Sequence, residues 1–457
     1  MLDLYPDQQK IIEDIREHMR RGTKRILLQS PTGSGKTIMA SSMLKAAADK
    51  GLDCLFIVHR RELIKQSVKA FDKFQVRHGI VSAGFQPDYK QLVQLCSIGS
   101  LPRRLNKIRT PKLILWDEAS HCASKSWSTV FKQFPDAYHI LLTATPERLD
   151  GKGLSDFADV IVSGQSIEWL IQNKRLADYD YYNPGKIDMA GVKKEMGDYS
   201  KAHSVALVDK PAITGSVVDE YVKHASGKRC LGFAITIEHS NHIVDQFKAR
   251  GIPAMHLDGS TPMNIRDRVL KDFESGELKY LCNVGLFGEG FDLPGLDAVS
   301  LIRPTASLSW YLQAVGRVLR YVPGKQAIII DHVGNIDRHG LPCRERKWSL
   351  EGKAGRLKNG ERLAPVKICK KCYGAQPAGS LVCKYCNEEF EVNPREIEEI
   401  PGELTKVDKE KMKLMAKQER GGARTYDDLV KLGYARGYKS PEKWAHIINQ
   451  AREAKRR

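Results

Sequence analysis

The feature that most constrains the fold is the segment SPTGSGKT at Ser30–Thr37, which lies between a strand-like run and a helical run. Residues 25–29 are mostly apolar, as in a buried parallel strand, and residues 38–50 suit a helix that ends at Gly51. A loop in this position directs backbone N–H groups and the positive end of the helix dipole at one anionic group. The sequence therefore predicts a phosphate-binding loop, with a chance glycine- and serine-rich turn as the alternative.

Two side chains of this loop have specific predicted roles in binding a nucleoside triphosphate. Lys36 would contact the β- and γ-phosphates, and Thr37 would bind Mg²⁺ through its hydroxyl. The loop departs from the usual GxxxxGK[ST] pattern at one position, because Ser30 stands where the first glycine is expected. The residues predicted to contact the nucleotide are Pro31, Thr32, Gly33, Ser34, Gly35, Lys36 and Thr37.

The length and charge of the chain restrict its organisation and its partners. With 457 residues it is too long for one core, which predicts two or three domains. No stretch reaches the roughly 18 apolar residues of a membrane span, and the polar N-terminus is not a secretory signal, so we expect a cytoplasmic protein. The net charge of +18 favours a polyanionic partner, since each phosphate that Lys or Arg neutralises releases counterions. A highly soluble basic protein without such a partner is the alternative.

Short apolar runs alternate with helical stretches in two parts of the chain, a pattern typical of parallel sheets covered by helices on both faces. We therefore predict an α/β fold with two sheet-based lobes of similar size in tandem. Predicted strands lie at residues 26–29, 55–58, 112–116 and 140–142 in the first lobe, and at 231–235, 254–257, 280–284, 299–302 and 327–331 in the second. The predicted segments are lobe 1 at 1–165, a connector with some helix at 166–213, lobe 2 at 214–340, a basic linker and four-cysteine module at 341–400, and a basic helical tail at 401–457.

An acidic pair, Asp117 and Glu118, directly follows the apolar run at residues 113–116. The carboxyl ends of parallel strands are where ligands bind in α/β lobes. Asp117 is therefore predicted to bind Mg²⁺, and Glu118 to orient or deprotonate an attacking water. A solvated turn is the alternative for an isolated acidic pair, but behind a phosphate-binding loop the pair predicts a site of hydrolysis.

Four of the ten cysteines form two close pairs, Cys369 with Cys372 and Cys383 with Cys386, separated by ten residues. Four thiolates in two CxxC pairs suit tetrahedral Zn²⁺ with no open coordination position, which predicts a structural zinc site. The surrounding stretch is poor in apolar residues, so the metal would supply much of its folding energy. The other six cysteines are scattered singly and are interpreted as core or surface residues.

The basic C-terminal tail carries clear helix signals. Ser440 can cap a helix with Pro441 in its first turn, and the helix would continue through Trp444 and Ile448 toward Arg457. Its charge makes the tail a candidate nucleic-acid surface, and a docking helix for another protein is the competing interpretation.

The order of these motifs resembles the motor of superfamily 2 helicases. The phosphate-binding loop is followed by DEAS at 117–120 and then by TAT at 143–145, as in that family. LYPDQQ at 4–9 resembles the N-terminal glutamine motif, and the resemblance implies that Gln8 contacts adenine. The nucleotide is accordingly expected to be ATP with Mg²⁺.

Further segments resemble the nucleic-acid-contacting motifs of the same family. VHRREL at 58–63 resembles the first of them, which implies that His59 and Arg60 contact the bound strand. By the same resemblance, Thr143 and Thr145 relay changes in the ATP site to the nucleic acid.

In the second lobe, NVGLFGEGFD at 283–292 and QAVGRVLR at 313–320 match motifs V and VI of the family. We expect QxxGRxxR to lie on a helix, where Arg317 and Arg320 would share one face and reach the γ-phosphate as arginine fingers. A salt-bridged structural pair is the alternative for these arginines. The resemblance adds three nucleotide-contacting residues in this lobe, Gly288, Asp292 and Gln313.

The acidic motif also departs from the family pattern. Ser120 occupies the position where a DEAH box has histidine, and His121 follows it. Mg²⁺ binding and water activation are unaffected by this change, but a link from that histidine to Gln313 is put in doubt. We expect His121 to pack or to be exposed rather than to act in catalysis.

The segment LTATPERLDGKGL, the long connector, the four-cysteine cluster and the tail GYARGYKSPEKW are most similar to RadD-like helicases and their phage replication relatives. This resemblance implies two RecA-like lobes and a motor that moves 3′ to 5′ on single-stranded or forked DNA. It also implies a role in replication or repair, in a bacterial or phage-infected cell, with a single-strand-binding or replisome protein as a partner. Trp310 and Tyr311 are candidates for base stacking, with packing between the lobes as the alternative.

Two other functions remain open from the sequence. One is a duplex translocase or RNA helicase that does not separate DNA strands. The other is an ATP-gated nucleic-acid clamp without sustained turnover, which a water-activating carboxylate at Glu118 argues against.

Overall fold

The structure is a computed structural model that describes residues 4–59, 62–122, 124–148, 152–184, 187–195, 197–287, 295–352, 366–390, 419, 422–423, 425–436 and 440–453. The chain forms two compact units, Met1–Glu391 and Val392–Arg457. The first unit contains both lobes and the four-cysteine module, and the second contains the helical tail. Among the helices in the described ranges, none is long and apolar enough to cross a lipid bilayer.

Lobe 1 is built around a parallel sheet of seven strands. In chain order the strands are β1 Arg25–Gln29, β2 Cys54–Val58, β3 His78–Val81, β4 Val93–Ser97, β5 Leu113–Asp117, β6 Tyr138–Thr143 and β7 Val160–Ser163. Their spatial order is β3-β4-β2-β5-β6-β1-β7. The helices of this lobe are α1 Pro6–Arg20, α2 Lys36–Ala48, α3 Glu62–Lys73 and α4 Lys125–Gln133. The central strands are almost fully buried because apolar side chains pack on both faces of the sheet.

The strand order of lobe 1 brings the predicted motifs together at the carboxyl ends of the central strands. Strand β6 lies between β1 and β5, and it pairs Thr143 with Gln29 on one side and Leu142 with Asp117 on the other. The carboxyl ends of parallel strands lie on the same side of the sheet, so the phosphate-binding loop, the acidic pair and the TAT segment are neighbours.

Lobe 2 is built around a parallel sheet of six strands with the order β12-β13-β11-β14-β15-β8. These strands are β8 Asp178–Tyr182, β11 Cys230–Phe233, β12 Ala254–Asp258, β13 Tyr280–Val284, β14 Ala298–Leu301 and β15 Gln326–Asp331. A short antiparallel pair, β9 Lys194–Glu195 and β10 Asp198–Tyr199, precedes the main part of the lobe. The helices are α5 Ile167–Gln172, α6 Lys201–Val208, α7 Pro211–Ala225, α8 Ile237–Ala249, α9 Met263–Ser275, α10 Leu308–Gly316 and α11 Asn335–His339.

Strand β8 corrects one part of the sequence prediction, because it lies in the segment 166–213 that was expected to be a connector with some helix and no strand of the second sheet. It forms an edge of the second sheet, where only Tyr179 and Tyr181 are fully buried. Its sequence, DYDYY, places aspartate at positions 178 and 180, so it lacks the continuous apolar run of a central parallel strand. The other predicted strands overlap observed ones, and the architecture of two parallel α/β lobes is confirmed.

The C-terminal part contains three small features. Strands β16 Val366–Ile368 and β17 Ala375–Pro377 form an antiparallel hairpin within the first unit. In the second unit, helices α12 Tyr426–Ala435 and α13 Pro441–Glu453 pack together through Leu429 and Ala445. Helix α13 begins at Pro441, as the sequence predicted.

Candidate ATP site between the two lobes

The phosphate-binding loop connects β1 to α2 and has the conformation that its glycines permit. Gly33 and Gly35 have φ values of 87° and 90°, which side-chain-bearing residues rarely adopt. Ser30, the departure from the usual pattern, donates a hydrogen bond from its hydroxyl to the Ser34 hydroxyl over 2.6 Å. The space for this hydroxyl exists because Gly164 faces it, and a Cβ at Gly164 would lie 2.6 Å from Ser30 Oγ. Serine at this position therefore fits inside the loop.

Lys36 begins helix α2 and its side chain folds back over the loop. Its Nζ atom donates hydrogen bonds to the carbonyl oxygens of Ser30 and Pro31, over 2.9 and 3.2 Å. Thr37 is the next residue of the helix, at the position expected for a Mg²⁺ ligand. The ammonium group thus lies in the concave side of the loop, where the β- and γ-phosphates of a nucleotide would bind.

The acidic pair lies at the end of β5 with an unusual backbone conformation. Glu118 is 7 % exposed and has φ 59° and ψ 66°, in the left-handed region that only glycine adopts freely. Such a conformation costs about 1–3 kcal/mol and is found preferentially at functional sites. Burial raises the pKa of Asp117, and the positive charges of Lys36 and Arg317 oppose that shift. A bound cation would favour the ionised carboxylate further, so the residue suits the predicted Mg²⁺ role.

The QAVGRVLR segment of lobe 2, at residues 313–320, lies beside the acidic pair of lobe 1. Gln313 donates a hydrogen bond from its amide to the Glu118 carboxylate over 3.3 Å, and both side chains are buried. The sequence had put a link between this glutamine and the acidic motif in doubt because Ser120 replaces histidine. The structure makes that link directly through Glu118.

The prediction that Arg317 and Arg320 lie on one face of a helix was wrong. Helix α10 ends at Gly316, Arg317 is its C-cap residue, and Arg320 forms an isolated β-bridge with Leu176. The helix ends where the lobes meet, since a Cβ at Gly316 would lie 2.5 Å from Thr32 Cβ. Both arginines still face the site from lobe 2, and Arg317 is only 5 % exposed.

Charged residues of both lobes lie close enough to Lys36 to affect its pKa. Burial lowers the pKa of Lys36, the carboxylates of Glu118 and Asp117 oppose that shift, and the guanidinium groups of Arg317 and Arg320 add to it. Five groups predicted separately from the sequence are therefore close enough to influence each other's charge. This constellation can bind a polyphosphate and place an activated water beside it.

Gln8, which the resemblance predicts to contact adenine, lies against the phosphate-binding loop. Its amide nitrogen donates to the Ser34 carbonyl over 3.0 Å, and its amide oxygen accepts from the Tyr5 N–H over 3.2 Å. A Cβ at Gly35 would lie 2.5 Å from the Gln8 amide nitrogen, so this glycine is required by close packing as well as by its φ angle.

The TAT segment contacts lobe 2 directly. The Thr145 hydroxyl donates to the Ser309 hydroxyl over 2.6 Å, and the Thr143 hydroxyl donates to the Thr145 carbonyl over 2.7 Å. Both threonines are buried. No sequence motif marked Ser309, because this residue belongs to the site only through its contact with Thr145 of the other lobe.

Several other predicted residues are also located by the structure. His59 and His121 stack with ring centroids 4.6 Å apart, so packing accounts for His121. Tyr311 is fully buried and donates to the Gly340 carbonyl, which identifies it as a packing residue, whereas Trp310 is only partly buried. Arg60, Gly288 and Asp292 lie outside the described residues.

Comparison with known proteins identifies the family. Residues 1–148 match the model described as type III restriction enzyme, res subunit, and residues 214–322 match the helicase conserved C-terminal domain. The chain is 37 % identical to a 51.5 kDa protein of a Lactococcus phage (isolate 7-9), over 86 % of this chain and 85 % of the relative. It is 30 % identical to the putative ATP-dependent helicase IRC3 of Saccharomyces cerevisiae, over 72 % of this chain. The chain is a superfamily 2 helicase.

Members of this family use ATP hydrolysis to act on nucleic acid. In this helicase, lobe 1 carries the phosphate-binding loop and the acidic pair, and lobe 2 carries the QAVGRVLR segment. A third relative is the DNA 3'-5' translocase XPB2 of Sulfurisphaera tokodaii, which is 25 % identical over 68 % of this chain and 78 % of its own length. The helicase spans about half the length of the yeast relative, 51 %.

The four predicted zinc ligands of the helicase form one cluster. The sulfur atoms of Cys369, Cys372, Cys383 and Cys386 all lie within 4.8 Å of one another, and two of the distances are 3.6 Å. Zinc–sulfur bonds of about 2.3 Å in a tetrahedron separate the sulfurs by about 3.8 Å. The geometry therefore fits the predicted metal site.

The thiol chemistry of the cluster also fits a cation. Burial opposes ionisation of Cys369, but backbone N–H groups of Cys372 and Lys371 outweigh it and lower the pKa to about 7. Burial and hydrogen bonds to the neighbouring thiols raise the pKa of Cys372 to about 12. A cation bound among the four sulfurs would favour their thiolate forms.

The contact between Thr145 and Ser309 leads to a testable prediction. Thr145→Val and Ser309→Ala each remove one hydroxyl of a buried hydrogen bond, worth about 1 kcal/mol. We expect each variant to lower nucleic-acid-stimulated ATP turnover about five-fold while unstimulated turnover changes little. The double variant should be no slower than either single variant, because both remove the same contact. Effects that multiply in steady-state assays would show that the two hydroxyls act independently.

Proposed function

We propose that the helicase is an ATP-driven DNA motor that moves 3′ to 5′ and separates strands during DNA replication or repair. The observation that carries this proposal is the hydrogen bond between Glu118 of lobe 1 and Gln313 of lobe 2. Glu118 is predicted to activate water, and this bond connects it to lobe 2. Hydrolysis and the relative position of the lobes would therefore depend on each other. That dependence is what a motor requires.

Three observations support DNA as the track. The net charge of +18 suits a polyanion, a relative is named as a DNA 3'-5' translocase, and another relative comes from a phage. We propose single-stranded or forked DNA as substrate, a single-strand-binding or replisome protein as partner, and the cytoplasm of a bacterial or phage-infected cell as location.

Zn²⁺ is our proposal for the ion of the four-cysteine cluster. Four protein ligands leave no open position, so the ion would hold the module together and take no part in hydrolysis.

The choice of nucleic acid is tested by steady-state ATP turnover with single-stranded DNA, duplex DNA and RNA at equal nucleotide concentration. We expect single-stranded DNA to stimulate most, and stimulation to disappear in Lys36→Ala, which loses the ammonium group in the loop. Displacement of streptavidin from one labelled end of the strand then gives the direction. Strongest stimulation by RNA, or by duplex without strand separation, would contradict the proposal while leaving the ATP site assigned.

A further inference from the structure

One face of helix α10 makes the contacts of lobe 2 with the ATP site of lobe 1. Ser309, Gln313 and Gly316 follow one another at spacings of four and three residues, which places them on the same side of the helix. Each of them contacts the TAT segment, the acidic pair or the phosphate-binding loop. The position of α10 therefore determines how lobe 2 meets the site of hydrolysis.

The start of α10 is held by a side chain from a distant part of the chain, Asp198 of strand β10. Its carboxylate accepts hydrogen bonds from the Arg303 guanidinium group over 2.6 Å and from the Thr305 hydroxyl over 3.0 Å. It also accepts from the Ala306 N–H over 2.7 Å and from the Tyr199 N–H over 2.8 Å. Three of these four donors lie directly before the N-cap of α10, so the carboxylate fixes the turn that leads into the helix.

Hydrogen bonds continue from this turn into the helix itself. Thr305 is fully buried, and its hydroxyl accepts from the Ser307 N–H over 3.0 Å. Ser307 is the N-cap residue, and its hydroxyl accepts from the Trp310 N–H over 3.2 Å. Arg303 also lies over the Trp310 ring, with its guanidinium carbon 4.8 Å from the ring centroid. Asp198 is therefore connected to the first turn of α10 through both backbone and side-chain groups.

The charge of Asp198 distinguishes it from the other residue that holds this turn. Asn335 of α11 accepts from the Thr305 N–H over 3.0 Å and donates to the Arg303 carbonyl over 3.1 Å. Hydrogen bonds between ionised groups are stronger than neutral ones. The side chains of Asp198 and Arg303 are 17 % and 22 % exposed, so solvent screens their interaction less than that of a surface pair.

We propose that Asp198 is a positioning residue for ATP hydrolysis, because it fixes the start of α10 so that Gln313 reaches Glu118. Gln313 lies less than two helical turns after the N-cap, so a shift of the helix start moves its amide by a similar distance. The bond of 3.3 Å to Glu118 would then lengthen or break. Small misplacements beside reacting groups slow catalysis strongly. This inference rests on the proposed coupling of Glu118 to Gln313 and is independent of which nucleic acid the helicase follows.

The experiment compares Asp198→Ala and Asp198→Asn in the full chain by steady-state ATP turnover with single-stranded DNA. We expect kcat to fall on the order of ten-fold in Asp198→Ala. The loss should be smaller in Asp198→Asn, whose amide oxygen can still accept from the Ala306 N–H. KM for ATP should change by less than about two-fold in both, since the phosphate-binding loop lies in lobe 1. Thermal melting checks the folding of each variant, and Asp198→Asn carries the comparison if Asp198→Ala is unfolded at the assay temperature.

A double-mutant cycle separates positioning from general stabilisation. In a Gln313→Ala background, Asp198→Ala should cause little further loss of kcat, because it acts through the same glutamine. The matched control is Asp267→Asn, which changes an exposed aspartate of helix α9 in lobe 2 and should leave kcat and KM unchanged.

Three outcomes would overturn the positioning role of Asp198. They are losses that multiply in the double variant, a raised KM with unchanged kcat in Asp198→Ala, and unchanged kcat in this variant while Gln313→Ala is slow. Full stimulated turnover in Gln313→Ala would instead remove the proposed coupling between the lobes, and the positioning role with it.

Discussion

Replacing Glu118 with glutamine should lower nucleic-acid-stimulated ATP hydrolysis by a factor of about 10²–10⁴, the range expected for a general base. Glutamine has nearly the same shape and can still accept the hydrogen bond that Gln313 donates over 3.3 Å. The lobes therefore keep their contact, and the variant loses only the negative charge that orients or deprotonates water. ATP binding should persist, because the phosphate-binding loop and Lys36 are intact.

Turnover and binding have to be measured separately in this variant. Fluorescent-nucleotide titration should give an affinity close to that of the unaltered helicase, while steady-state assays show the loss of turnover. Glu277→Gln, which neutralises an exposed carboxylate of lobe 2, is the control and should keep full activity. Retention of rapid hydrolysis in Glu118→Gln would remove this residue from the catalytic site.

The central strands and the phosphate-binding loop could be predicted because their signals are local. A run such as Cys54–Val58 is apolar at every position since both faces of the sheet are covered, and the loop glycines are adjacent in sequence. Strand β8 could not be found in this way. As an edge strand it buries alternate tyrosines, and its place in the sheet depends on pairing with β15, far away in sequence.

The parts of the site that join the lobes were the hardest to predict. Helix α10 ends at Gly316, which packs closely against Thr32 of the other lobe, whereas the local pattern favoured a continuous helix. Ser309 likewise gains significance only from its hydrogen bond with Thr145, more than a hundred residues away. Such contacts are properties of the tertiary fold, and a single sequence carries no local signal for them.

Removing the metal from the four-cysteine cluster should destabilise lobe 2 as well as the cluster itself. Structural zinc contributes about 10–16 kcal/mol of apparent binding free energy in small zinc modules, so the module is not expected to stay folded without it. The module covers the edge of the second sheet at β8. The Asn183 N–H donates to the Tyr373 carbonyl over 2.9 Å, and the Tyr181 N–H donates to the Tyr385 hydroxyl over 3.3 Å.

Side-chain packing strengthens this attachment. The Tyr182 ring lies 5.3 Å from the Tyr385 ring, and Lys223 lies over the ring of Tyr373. Unfolding of the module would break these contacts and leave unpaired N–H groups along β8. An uncovered strand edge is a site for intermolecular pairing, so aggregation should accompany the loss of stability.

The test compares the unaltered helicase, a chelated sample and Cys383→Ser by metal analysis and thermal melting. We expect one zinc ion per chain in the first, and a melting temperature lower by several degrees in the other two, consistent with a loss of some kcal/mol in a chain of this size. Cys343→Ser is the matched control, because this cysteine lies outside the cluster and serine can keep the contact with the Tyr179 hydroxyl. Lobe 1 should still bind nucleotide after chelation, since the phosphate-binding loop does not depend on the module. A melting curve that is unchanged after complete metal removal would show that the hairpin and its contacts with β8 hold without the ion, and that the cluster has another purpose.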